Sequence, residues 1–169
     1  MAKKNRQTKT FVDFDIGIGS IIPATQEAFK GSSYSPTARK EEKSGLSLFK
    51  TNFLHKVNAS LKNNDQFPTS NEVFIFIVQY FSGEREYRSR DIDNIAKTVL
   101  DVLKNKFYED DNQVKTLLIS KKMEKRIPQN FAYIAIKDLK DGKDVEALKT
   151  SGIERSVFLY QELKKQGVI

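Results

Sequence analysis

Two acidic clusters stand either side of one amphipathic segment: Asp91-Ile92-Asp93-Asn94-Ile95-Ala96-Lys97, then Glu109-Asp110-Asp111 before Asn112-Gln113-Val114. Carboxylates can hold a hard cation, and a lysine beside them can meet an anionic oxygen. Lys97 lies one helical turn beyond Asp93, so the two share a helix face. Three adjacent acids repel one another, and a counterion or full hydration must relieve them. A divalent metal shared with Asp91 and Asp93 would do so. The plainer reading makes Asp91 and Asp93 helix-start residues, with Asp93 the N-cap, and the second cluster a turn open to water. An EF-hand is excluded, because Ile95 and Ala96 stand where an oxygen ligand and a glycine are required.

The rest of the composition narrows the chemistry. There is no cysteine and one histidine, His55, expected on the surface. Thiolate and histidine-ligated metal centres are therefore excluded as expectations, and oxygen-only ligation points to Mg²⁺, with Mn²⁺ as substitute. The formal net charge is +7, which favours a polyanionic partner, nucleic acid before membrane. No apolar run reaches membrane-spanning length, and the start of the chain lacks the apolar stretch of a signal peptide. A cytoplasmic protein is expected.

Several elements must position these residues. Residues 1–10 read as a flexible basic tail. Phe11 to Ile18 alternates apolar and polar residues, the pattern of a half-buried edge strand. Its Asp13 and Asp15 repeat the Asp-x-Asp spacing but are expected to be solvated edge carboxylates. Residues 19–45 read as loop, with a short strand at Gln26 to Lys30 and a hydroxyl-rich run from Phe29 to Pro36 suited to phosphate. Ser44 to Leu61 reads as a helix burying Leu46, Phe49, Phe53, Val57 and Leu61. Glu72 to Phe81, with an unbroken apolar run at Val73 to Val78, reads as a central strand covered on both faces. Asp93 to Lys106 forms the second helix, burying Ile95, Val99, Val102 and Leu103. Two further strands, Asn112 to Lys122 and Asn130 to Ile136, are expected to pair as a hairpin. From Asp138 the chain reads as a linker, followed by a helix over Ile153 to Gln166. The expected architecture is α+β: a small mixed sheet with two main helices packed on it and a C-terminal helical extension. The domain limits are 1–138 for the body and 139–169 for linker and extension.

The composite of Arg90 to Lys97, the helix carrying Asp101, and Tyr108 to Val114 resembles the signature of the RusA family of Holliday-junction resolvases. The resemblance spans roughly residues 10–138 and includes the Tyr34-Ser35-Pro36 stretch and the order of helices and strands. It implies a Mg²⁺-dependent endodeoxyribonuclease of DNA recombination and repair, cutting four-way junctions to leave 5′-phosphate and 3′-hydroxyl ends. It places the essential carboxylates on Asp91, Asp93 and Asp111, a lesser acidic position on Asp110 and the catalytic lysine on Lys97. It also implies a homodimer, consistent with the need to cut two strands symmetrically. Arg85, Arg88, Arg90, Lys121, Lys122, Lys125 and Arg126 are candidates for the DNA-binding surface. Two rivals remain open: a catalytically silent junction-binding protein, and a nuclease acting on flaps or other branched DNA.

Overall fold

The computed structural model of the chain describes residues 12–23, 36–62 and 64–140, with side chains left undescribed over 36–44. The expected basic tail, the strand at Gln26 to Lys30, the hydroxyl-rich run as far as Ser35 and the helix at Ile153 to Gln166 lie outside the described residues.

The architecture is α+β, as expected. Strand β1 is Phe14–Ile18, helix α1 Pro36–Leu61, strand β2 Glu72–Phe81, helix α2 Glu84–Ser89, helix α3 Ile92–Leu103, strand β3 Val114–Met123 and strand β4 Phe131–Leu139. One four-stranded mixed sheet has the order β1-β4-β2-β3. β1 and β4 pair antiparallel, as do β2 and β4, while β2 and β3 run parallel.

The expected hairpin between the last two strands is not formed. β2 lies between them, pairing with β3 along one edge and β4 along the other. Its side chains are apolar toward both faces, so the centre of the sheet is where it buries most. The chain between Met123 and Phe131 crosses the end of β2: Glu124 N–H donates to Phe81 O at 2.9 Å and Ser82 N–H to Asn130 Oδ1 at 2.8 Å. That connection is long enough to skip a strand, which spacing alone does not disclose.

One face of the sheet carries the main core. Ile75, Ile77 and Phe81 of β2 pack there with Phe53 and Val57 of α1, Ile95, Val99 and Leu103 of α3, and Ile134 and Ile136 of β4. The buried faces read from the periodicity of both helices are the observed ones, with Leu46, Phe49 and Leu61 only partly buried. α1 begins at Pro36, earlier than the expected Ser44. A proline at the first helical position has no N–H to leave unsatisfied, so it starts a helix where a breaker was read. His55 is exposed, as expected.

Polar side chains stitch the frame. Gln79 is fully buried in β2; its Oε1 accepts Ile22 N–H at 3.0 Å and its Nε2 donates to Phe131 O at 3.0 Å. Asp15 is exposed on the edge strand, as expected, whereas Asp13 is partly buried rather than solvated. Asp13 accepts from Asp138 N–H at 2.9 Å and Lys137 Nζ at 3.2 Å, and Asp15 from the Tyr133 hydroxyl at 3.0 Å. Both tie the edge strand to β4, at the opposite end of the sheet order from β3 and the acidic turn that precedes it.

The strand also overruns the expected linker start. Asp138 belongs to β4 and is 1% exposed. Its Oδ2 accepts from Thr69 Oγ1 at 3.1 Å, Asn71 Nδ2 at 3.3 Å and Lys140 Nζ at 3.4 Å. Removing a buried acceptor strands its donors. Asp138→Ala is expected to lower unfolding free energy by about 2–3 kcal/mol, read as a shifted urea midpoint at unchanged slope.

Candidate active site

α3 owes its register to its sequence. Ile95, Val99, Val102 and Leu103 are driven inward, which leaves Asp93, Lys97 and Asp101, at four-residue steps, on the outward face. Asp91, not Asp93, occupies the N-cap position, and its side chain makes no capping hydrogen bond. The capping explanation for this pair therefore fails for Asp91, while Asp93 lies within the first turn, where its charge favours the helix dipole.

The return of the second acidic cluster is built just past α3. Asn105 has φ 62°, the left-handed conformation that asparagine tolerates at the end of a helix. The chain reverses there, and Asn105 N–H donates to Tyr108 O at 2.7 Å. Phe107 and Tyr108 are both fully buried. The Phe107 ring lies 4.6 Å from that of Phe14 and 5.0 Å from that of Phe67, and the Tyr108 hydroxyl donates to Leu100 O at 3.1 Å. Two anchored aromatics thus force the three acids that follow out of the core.

A 3₁₀ turn, Asp111–Gln113, then leads into β3. Asp110 caps it: its Oδ1 accepts Asn112 N–H at 3.0 Å. Lys104, at the end of α3, stands 3.3 Å from Asp111 Oδ2 and 3.9 Å from Asp110 Oδ2.

The result is one open concavity lined by Asp93, Lys97, Asp101 and Asp111, with Ile92, Ala96, Leu100, Leu117 and Ile119 as apolar wall. Residues from the two ends of the motif therefore meet at one place. Asp91 and Asp110 stand beside the lining rather than in it. Asp93 and Lys97 are exposed and make no hydrogen bond or ion pair with a described residue. Asp101 pairs with Lys50 of α1 at 2.7 Å. Burial, and then the charges of Asp111 and Asp101, raise the Tyr108 phenol well above its ordinary range.

The donor set is oxygen-only and solvent-accessible, which fits a hard divalent cation in kind. Among the described residues no three His, Cys, Asp or Glu side chains are drawn together into a ready-made ion cage. The carboxylates share a wall and are not closed around a point.

Of the basic residues singled out in the sequence, Arg85, Lys122 and Lys125 are exposed. Arg88 pairs with Glu84. Arg126 is clamped by Glu124, Nε to Oε1 and Nη2 to Oε2 each at 2.8 Å, which holds the Glu124 carboxyl down at about 2. Lys121 faces inward: Nζ donates to Tyr87 O at 2.9 Å and Arg90 O at 2.7 Å, over the Tyr87 ring. It fastens the end of α2, and so the approach to Asp91, to β3.

Sequence reasoning gave no role to Lys50, Lys104 or Gln113, put Lys121 on the DNA-binding surface where the structure ties it to the end of α2, and did not separate α2 from its loop. Only Gln113 carried a local signal, the capping-box spacing Asp110-x-x-Gln113.

A mixed α+β domain with carboxylates and a lysine on one open wall is an arrangement suited to phosphoryl chemistry. The family model of endodeoxyribonuclease RusA matches residues 32–136, and the chain belongs to that family. A search of curated proteins gives no match. No helix among the described residues is long and apolar enough to cross a membrane.

Proposed function

We propose that this protein is a metal-dependent, structure-selective endodeoxyribonuclease that resolves four-way DNA junctions by paired phosphodiester hydrolysis. The observation that carries the reading is the shared wall of Asp93, Lys97 and Asp111, reached from separate parts of the chain. Adjacent acids repel one another, and Lys104 brings only one positive charge to Asp110 and Asp111, so a divalent cation on this wall would relieve the rest.

Asp91, Asp93 and Asp111 are the residues that would hold Mg²⁺ or Mn²⁺, with Asp110 fixing the backbone of the turn beside them. When bound, the cation supplies Lewis acidity toward the phosphate and acidifies water. Lys97 Nζ donates to a phosphate oxygen and offsets the charge that develops there. Exposed Arg85, Lys122 and Lys125 meet backbone phosphates outside the wall. Two such sites in a C₂ dimer cut opposed strands without rebinding.

The test is a side-by-side digestion of a synthetic four-way junction, a flap and linear duplex, each with Mg²⁺, with Mn²⁺ and with chelator. Paired nicks in the junction, faster than on the other substrates and lost with chelator, are expected. Preferred cutting of the flap would move the substrate assignment to other branched DNA. Tight, salt-sensitive junction binding without cutting under any metal would replace the enzyme by a binding protein. Sedimentation at micromolar concentration is expected to give the mass of a dimer, and a monomer would remove the paired-cut mechanism.

A further inference from the structure

One side chain ties the second acidic cluster to the segment that leads into β2. Gln113 Oε1 accepts from Glu109 N–H at 2.7 Å and Asp110 N–H at 2.9 Å. Its Nε2 donates to Thr69 O and Asn71 O, both at 2.9 Å. A primary amide has two donor hydrogens and an oxygen with two lone pairs, and here all are engaged. Glutamate has the oxygens but not the donors. Asparagine has both, one methylene short.

The bracket that receives Gln113 is itself rigid. Thr69 N–H donates to Phe107 O at 3.0 Å, and Thr69 Oγ1 and Asn71 Nδ2 are both bound by the buried carboxylate of Asp138. Gln113 therefore joins a turn fixed from the core to the two backbone amides immediately before Asp111. It does not line the concavity.

We propose that Gln113 is a positioning residue of this site: it sets the backbone of Glu109 and Asp110 so that the Asp111 carboxylate stands on the wall shared by Asp93 and Lys97. The proposal deepens the nuclease reading and rests on it. It assigns Gln113 an effect on cation affinity and on the chemical step, beyond closing a turn.

The full-length protein and its Gln113→Met and Gln113→Glu variants are compared. Three quantities are read: amide hydrogen exchange at Glu109 and Asp110 against that of β2, Mn²⁺ affinity by calorimetry, and kcat and KM on a four-way junction. Gln113→Met is expected to speed exchange at those two amides while β2 is unchanged, to weaken Mn²⁺ binding about 10-fold or more, and to lower kcat similarly at constant KM. Excess Mn²⁺ recovers part of the rate. Gln113→Glu keeps the acceptor bonds but not the donors; it serves as the folded variant if methionine unfolds the domain, with the same loss of Mn²⁺ affinity expected. Faster exchange with Mn²⁺ affinity and kcat unchanged would make Gln113 a structural cap and overturn the proposal. A wild-type protein that binds Mn²⁺ through Gln113-dependent geometry but cuts no DNA would sink the nuclease reading and leave the positioning role. Wild-type protein that neither cuts nor binds Mn²⁺ overturns both.

Discussion

Asp93→Asn is expected to lower junction cutting about 1,000-fold, near 4 kcal/mol of transition-state stabilisation, while junction affinity stays within a few-fold of wild type. The substitution is nearly isosteric and removes one charge. Asp93 is exposed on the outward face of α3, and no described residue depends on its carboxylate. The fold should survive, losing only a dipole interaction of about 0.3–1 kcal/mol. Activity and stability therefore separate at this position, which few core positions allow. Asp91→Asn and Asp111→Asn are expected to fall with it if all three hold the cation. Asp91 is the sharper comparison, because it holds the N-cap position of α3 without a side-chain capping hydrogen bond and stands outside the concavity's lining. Gel assays of cutting and of binding in Ca²⁺, on the same junction, read both halves. Wild-type-like cutting by Asp91→Asn and Asp93→Asn together would refute the metal assignment.

Lys97→Met should cost about 100-fold in kcat with little change in KM. The methionine matches the lysine's four-atom apolar stem, so its packing along α3 is retained. What is lost is one ammonium, unpaired among the described residues and set one turn from Asp93. A charge whose main role were to attract DNA would instead raise KM and flatten the salt dependence of binding by about one phosphate contact. Single-turnover kinetics across a salt series distinguish the two. Loss confined to KM would move Lys97 from the chemical step to the binding surface. Lys104 offers a contrast, since it is already paired with Asp110 and Asp111. Its loss should alter the second cluster rather than the phosphate.

The same two positions show how far a single chain of residues can be read. Their shared face follows from four-residue spacing on a helix whose opposite stripe is apolar, and the structure keeps that face outward. β2 was legible for a similar reason, since an unbroken run of β-branched and aromatic residues can bury both faces only inside a sheet. The placement of α1 was less legible, because Pro36 reads as a breaker yet starts the helix.

What the sequence determined by itself was everything set by local period and residue type: two helices with their buried stripes, the central strand, and an oxygen-only set of acids with one lysine between them. The tertiary structure decided the rest. β2 inserted itself between the two strands expected to pair, because sheet order is a competition for burial among strands distant in sequence. Phe107 and Tyr108, buried against Phe14, Phe67 and α3, turned the second acidic cluster toward the first. Lys121, the bonds of Asp138 to Thr69 and Asn71, and the half of Gln113 that reaches Thr69 and Asn71 acquired their roles through partners many residues away. Such partners leave no local pattern, since a hydrogen bond between distant segments depends on where the whole chain has already packed.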